Sequence, residues 1–194
     1  MANTNAPFGF RPIARLDGGP YGGGFSTLKM QNNAGALNRG DTVKALADGT
    51  VAVSAAAEGH LARGVYIGCH YLNAALGYPI WSNYWPGAGA LGLVDVFIID
   101  DPNVVYEVMA SAGPITQADV GANADIVVNA STTGFSKWAL GAATTTGSTN
   151  FPWKIHAVGN RGVNISDGYD AASANNIVHV IWNDMFLKGP AIGI

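Results

Sequence analysis

From residue 25 onward the chain is a succession of short extended runs, each ended by a turn signal, and this punctuation constrains the fold more than any other feature. Residues 25–30 alternate apolar and polar side chains. Residues 41–47 and 50–54 flank Asp48-Gly49, and Asp-Gly between alternating runs is a strong short-range hairpin signal. Residues 64–69 follow, rich in Val, Tyr and Ile. Residues 91–99 and Val104–Met109 flank Asp100-Asp101-Pro102-Asn103, where Pro102 suits the second position of a turn opened by Asp101. Residues 126–129, 137–140, Trp153–Val158 and 177–183 complete the set. Roughly ten short strands with irregular spacing predict an all-β chain, a mainly antiparallel sandwich or barrel with long loops. The last run is nearly continuous in apolar residues, which suits a central strand buried on both faces. At most one short helix is expected, capped by Thr116, with Asp119 in its first turn and Gly121 at its end.

Residues 1–24 break this rhythm. Pro7, Pro12 and Pro20 oppose a regular ladder, and five glycines between residues 18 and 24 loosen the backbone. The segment nevertheless carries Phe8, Phe10, Ile13, Leu16 and Tyr21. It reads as an extended N-terminal arm before a β-rich domain of residues 25–194, lying either on its own domain or on a neighbouring subunit. Residues 70–92 are the second irregular stretch. Tyr71, Tyr78, Trp81, Tyr84 and Trp85 stand there among prolines and glycines. The stretch reads as a long loop folded over a sheet end, or as a contact surface, because Trp and Tyr are favoured interface anchors.

Composition narrows the function. Charged residues are 12% of the 194 residues, about half the usual ~25%. A net charge of −3, with ten scattered Lys and Arg, argues against nucleic-acid binding by a basic patch. No apolar run approaches the ~18 residues of a membrane span, and no secretory signal is read at the start. A single cysteine, Cys69, rules out an internal disulfide framework. A surface this poor in ions is poor at staying apart from other proteins.

The search for chemistry yields little. Gly87-Ala88-Gly89-Ala90-Leu91-Gly92 fits G-x-G-x-x-G, but a Pro-rich aromatic stretch precedes it and a strand-like run follows, so no helix is expected to meet a pyrophosphate. Cys69 and His70 point to opposite faces of a strand, which opposes joint metal ligation. His60, His156 and His179 have no ligand spacing, and His179 reads as a core histidine. Asp100 and Asp101 read as turn residues, with Glu107 nearby, rather than as an acid/base pair. Asn164, Ser166, Asp167 and Asp170 share a Gly-rich loop but not an EF-hand register, and the sequons at Asn129 and Asn164 carry no weight without a signal peptide. The expectation is no enzyme, no cofactor and no metal.

Several segments between residues 6 and about 138 resemble a known family. They are Ala6-Pro7-Phe8-Gly9-Phe10-Arg11-Pro12 with the Gly/Tyr-rich stretch behind it, and Asp100-Asp101-Pro102-Asn103-Val104-Val105-Tyr106-Glu107-Val108. Pro114-Ile115-Thr116-Gln117-Ala118-Asp119-Val120-Gly121 and Ser131-Thr132-Thr133-Gly134-Phe135-Ser136-Lys137-Trp138 follow in order and spacing. They are similar to the structural cement, or head-decoration, proteins of tailed bacteriophages. The resemblance implies a β-rich, non-enzymatic virion protein on the outer surface of the capsid. It implies major capsid protein and further copies of itself, as a homotrimer, for partners, and neither nucleic acid nor membrane. The expected partner-binding residues are Phe8, Phe10, Arg11 and Tyr21 in the arm and Tyr78, Trp81, Tyr84 and Trp85 in the aromatic stretch. Deleting residues 1–24 is expected to leave the β domain folded while abolishing retention on capsids. A carbohydrate- or host-surface-binding β-sandwich module is the other reading of the exposed aromatics.

Overall fold

The computed structural model describes residues 3–56, 61–111, 113–131, 134–144, 151–159 and 173–187. They form an all-β fold of fourteen strands: β1 (Arg11–Arg15), β2 (Ser26–Met30), β3 (Leu37–Asn38), β4 (Thr42–Ala45), β5 (Val51–Val53), β6 (Ala62–Leu72), β7 (Pro79–Ser82), β8 (Tyr84–Trp85), β9 (Val94–Ile99), β10 (Val104–Met109), β11 (Asn123–Val127), β12 (Ala139–Thr144), β13 (Trp153–Val158) and β14 (Ile177–Trp182). The expected helix is a single 3-10 turn at Gln117–Asp119. The Asp119 carboxylate accepts hydrogen bonds from the Thr116 N–H (2.7 Å) and hydroxyl (2.9 Å).

One sheet runs β4-β5-β2-β9-β6-β7, and β4 also pairs with β6. Strands β4, β5, β2, β9 and β6 therefore close into a five-stranded barrel, which removes the exposed edges of those strands. The Asp48-Gly49 hairpin joins β4 to β5 as the sequence predicts. The Asp48 carboxylate accepts from the Thr50 N–H and hydroxyl, while Gly49 takes φ +79°. At eleven residues β6 is long enough to serve two neighbours on one edge: its first half pairs with β4, its second with β7. A bulge between Tyr66 and Gly68 shifts its side-chain phase by one. Tyr66, Cys69 and Tyr71 consequently all enter the barrel core, with Met30, Val43, Val96 and Ile98.

The second sheet runs β1-β10-β14-β13-β11-β12. It curls until Leu140 of β12 bridges Ala110, just past β10. Its core holds Val108, Leu140, Ile155, Val178 and Val180 around a stack of aromatic rings. Trp153 lies between Phe10 (4.3 Å) and Trp182 (3.9 Å), and Tyr106 meets both tryptophans edge-on. As expected, β14 is central, but it is fully buried on one face only: Val178, Val180 and Trp182 are buried, while Ile177, His179 and Ile181 on the other face are half-buried. Ala62, Val65 and Ile99, from β6 and β9 of the barrel, also pack into this second core, so the two sheets are joined through shared side-chain packing.

Two expectations are corrected. Within residues 3–24 the arm is not irregular throughout and lies on its own domain, one of the two readings of the sequence: β1 pairs antiparallel with β10 from Arg11↔Glu107 to Arg15↔Val104. Proline is tolerated because β1 is the edge strand and the ladder breaks between Pro12 and Ala14. Gly9 N–H donates to Trp138 O (3.0 Å), Phe10 N–H to Gly40 O (2.9 Å) and Leu16 N–H to Asn103 O (2.8 Å). Residues 70–92 are likewise not one long loop. They hold the end of β6, then β7 paired with it, then β8 paired with β3.

Candidate functional site

The eight residues expected at an interface divide by burial. Phe10 is 2% exposed, stacked inside the second core, and Trp85 is fully enclosed beneath Tyr71, ring centroids 4.9 Å apart. Neither is reachable by a partner, because the strands flanking them fold them inward. Tyr84 is half-buried next to Trp85, its N–H held by the Ser82 hydroxyl (3.0 Å). Tyr21 is half-buried, its hydroxyl donating to Gly24 O (2.6 Å), and burial pushes its pKa up. Phe8 lies under the Arg11 guanidinium, 4.6 Å from the ring centre. Arg11 also approaches the buried Glu107 carboxylate at 3.7 Å. Tyr78 and Trp81 are exposed, Trp81 at 70%.

The fold brings residues from both irregular stretches to one trough. At one end a hollow of about 550 Å³ lies between Trp81, Tyr84 and Phe97. A second hollow of about 570 Å³ adjoins it, and Ile67, Asn83 and Gly134 line both. The second holds Phe8 and Arg11, together with Arg39, Phe135 and Lys137. The floor follows from the bulge in β6. A Cβ on Gly68 would stand 3.2 Å from Ser82 O and 3.6 Å from the Phe97 ring, so the absence of a side chain there keeps the hollow open. The wall at Gly134–Lys137 is pinned to β3: Gly134 N–H donates to the Asn38 side-chain oxygen (2.9 Å), and Phe135 bridges Arg39.

An aromatic ladder continues from the trough across the outer face of the barrel. His70 meets Trp81 at 4.3 Å, Trp81 stacks on Phe97 at 5.4 Å, and Phe97 meets exposed Phe25 edge-on at 5.3 Å. Sequence reasoning missed Phe25, Phe97, Arg39, Phe135 and Lys137 as surface candidates. The signal for Phe97 was present: in Val94-Asp95-Val96-Phe97-Ile98 the even positions are buried, which turns Phe97 outward with Asp95. Nothing in sequence order joins Arg39 to Lys137.

The remaining polar residues are committed to structure. Arg63 Nη1 donates to Asp100 Oδ2 (2.7 Å) and the Ser26 hydroxyl to Asp100 Oδ1 (2.9 Å). Asp101 accepts from Asn103 N–H (2.9 Å) within the turn and from Arg15 Nη1 (2.8 Å). These carboxylates are turn residues, as expected, and each of Asp100, Asp101 and Glu107 faces a different arginine. Cys69 is buried, burial raises its pKa, and His70 stands on the other face of β6. His156 is exposed, and His179 is half-buried in β14. The G-x-G-x-x-G segment is a loop between β8 and β9, where Ala90 N–H donates to the Asn32 side-chain oxygen (3.0 Å), and no helix follows it. Among the described residues no three His, Cys, Asp or Glu side chains gather as metal ligands, and no helix is long and apolar enough to cross a membrane. His60 and the loop with Asn164, Ser166, Asp167 and Asp170 lie outside the described residues.

In comparisons with protein-family models, curated proteins and solved structures, the chain matches none.

Proposed function

We propose that this chain is a non-enzymatic capsid cement protein that binds the outer surface of a bacteriophage head and bridges adjacent major capsid proteins. It acts as a homotrimer at threefold or quasi-threefold positions and stabilises the expanded shell. The observation that carries this reading is the trough and its ladder: Trp81 at 70% and Phe135 at 76% exposure are large rings left open on a chain with only 12% charged residues. Exposed aromatic groups in a concave setting suit anchors for another protein. The resemblance of residues 6 to about 138 to head-decoration proteins supports the same reading and supplies the partner.

The physics of a pressurised shell fits such a part. Packed DNA pushes outward, and a clamp across two subunits adds contact area that must be broken before they separate. A standard interface buries roughly 1,600 Å², and repetition over many sites raises the effective concentration holding each subunit. A surface with few ions docks without desolvating unpaired charges.

The test is co-sedimentation with expanded heads built from the major capsid protein of the same genome. Binding should saturate at a fixed ratio to capsid subunits and raise the temperature at which the shells open. The free protein should have a mass three times the 20.0 kDa of one chain. Protein left in the supernatant at saturating concentration overturns the reading. The ring face of Trp81, with exposed Asn83 in the same hollow, favours one second reading, a host-surface carbohydrate site. Binding on a glycan array without head binding would select it.

A further inference from the structure

The trough carries a distinct charge pattern. Arg11, Arg39 and Lys137, three of the chain's ten Lys and Arg, line its second hollow, and among the described residues no Asp or Glu lines either hollow. On a chain whose formal charge is −3 this is a local inversion of sign. All three are exposed, and Arg11 also faces the Glu107 carboxylate. Apolar surface accompanies the cations. Phe8 and Phe135 stand among them, and Trp81 and Phe97 wall the adjoining hollow. Together the two hollows make an elongated, open site, which fits a strand-like segment rather than a compact small molecule.

We propose that this trough is the receptor for an extended acidic peptide segment of the partner protein, with carboxylates set against Arg39 and Lys137 and an aromatic or aliphatic side chain seated against the stacked Trp81 and Phe97, in the hollow they line with Tyr84. The proposal deepens the docking function and rests on it for the identity of the partner. Charge complementarity selects the occupant: a basic segment would be repelled by Arg39 and Lys137, and a wholly neutral one would leave those two cations unanswered. A nucleic acid is disfavoured because three cations release few counterions against the repulsion of a negative chain. Exposed ion pairs at such a rim set specificity and salt dependence more than bulk affinity, and the apolar seat supplies the rest.

The probe is a capped ten-residue peptide alternating Glu with Phe and Leu, titrated into isotope-labelled full-length protein and followed by amide NMR shifts. Shifts at Arg39, Asn83 and Gly134 are expected, with affinity at least roughly tenfold weaker in the Arg39→Glu/Lys137→Glu double variant, since each reversal replaces a weak exposed attraction with a repulsion. Affinity should also fall as salt is raised to about 0.5 M. Both substituted residues are exposed, and an unchanged spectrum of the free variant certifies its fold. Trp81→Ser should weaken binding without abolishing the salt dependence. Equal shifts from a Lys-for-Glu peptide, shifts confined to other surfaces, or stronger shifts at the same amides from a twelve-nucleotide oligothymidylate each overturn the proposal. Peptide binding at the trough with no attachment to heads would sink the cement reading and leave the receptor standing. Heads retaining the double variant as tightly as the parent would sink the receptor's role and leave the cement reading standing.

Discussion

At the scale of single residues, the few buried charges carry the clearest consequences. Arg63 and Asp100, side chains 15% and 16% exposed, tie β6 to the turn before β10. Removing Arg63 leaves the half-buried Asp100 carboxylate with the Ser26 hydroxyl but without this counter-ion, so Arg63→Ala is expected to cost about 1–3 kcal/mol in denaturant unfolding. A loss below 1 kcal/mol would show that the pair is dispensable. Asp41 is 1% exposed, and its carboxylate accepts from Asn38 N–H (2.7 Å). Burial raises its pKa above the usual carboxylate value, against the pull of hydrogen bonds from Ser136 and Asn38. A raised pKa means that the folded chain holds this proton to higher pH than the unfolded one. The stabilisation from Asp41 is therefore complete below about pH 4 and lost as pH climbs through the raised value. Asp41→Asn should gain stability relative to the parent as pH rises from 4 to 7. A difference that stays flat across that interval would contradict the sign.

At the scale of elements, the N-terminal segment is locked both by close backbone approach and by the buried Phe10 ring. Gly9 has φ +75°, and a Cβ there would stand 2.5 Å from Ser136 Cβ and 2.8 Å from Gly40 O. Gly18 has a similar φ, +83°, with open space around it. Gly18→Ala is expected to cost only the left-handed strain of about 1–2 kcal/mol. Gly9→Ala adds an overlap that backbone must absorb and should cost about 2–5 kcal/mol. Equal melting-temperature losses in the two variants would refute the packing argument. Phe10, stacked on Trp153, makes Phe10→Ala worth about 3–5 kcal/mol. Deleting residues 1–24 removes both Phe10 and β1, so the shortened chain should lose its cooperative unfolding transition. That departs from the sequence expectation of an intact domain.

This segment also marks the limit of what was legible. Val104–Met109 and Trp153–Val158 were readable to the residue, because each is an apolar run cut by a turn signal, and Asp48-Gly49 declared its hairpin. Pro12 and Pro79 concealed β1 and β7, since proline reads against a ladder unless the strand is known to lie at an edge. Half of the candidate site was legible, in Phe8, Arg11, Trp81 and Tyr84. The rest, Arg39, Phe97, Phe135 and Lys137, is assembled by tertiary pairing between segments up to about a hundred residues apart, as when Gly134 reaches Asn38. The phase slip at the β6 bulge, which sets the trough floor, is a property of pairing with β9 and has no signature in β6 itself.

At the scale of the whole molecule, the two curled sheets cannot come apart independently. Ala62, Val65 and Ile99 belong to barrel strands yet pack in the core of the other sheet, and β9 runs into β10 through a four-residue turn. Calorimetry should record one transition whose calorimetric and van't Hoff enthalpies agree. Two resolved transitions would mean that the cores are separate.

Because β6 and β9 of the barrel also pack in the second core, the path from the trough to the far sheet runs, among the described residues, through continuous strands. A pull at one end is carried as tension through that backbone and through ladders loaded lengthwise. Such a body transmits torque like a rivet, and under overload it detaches at its contacts before it bends.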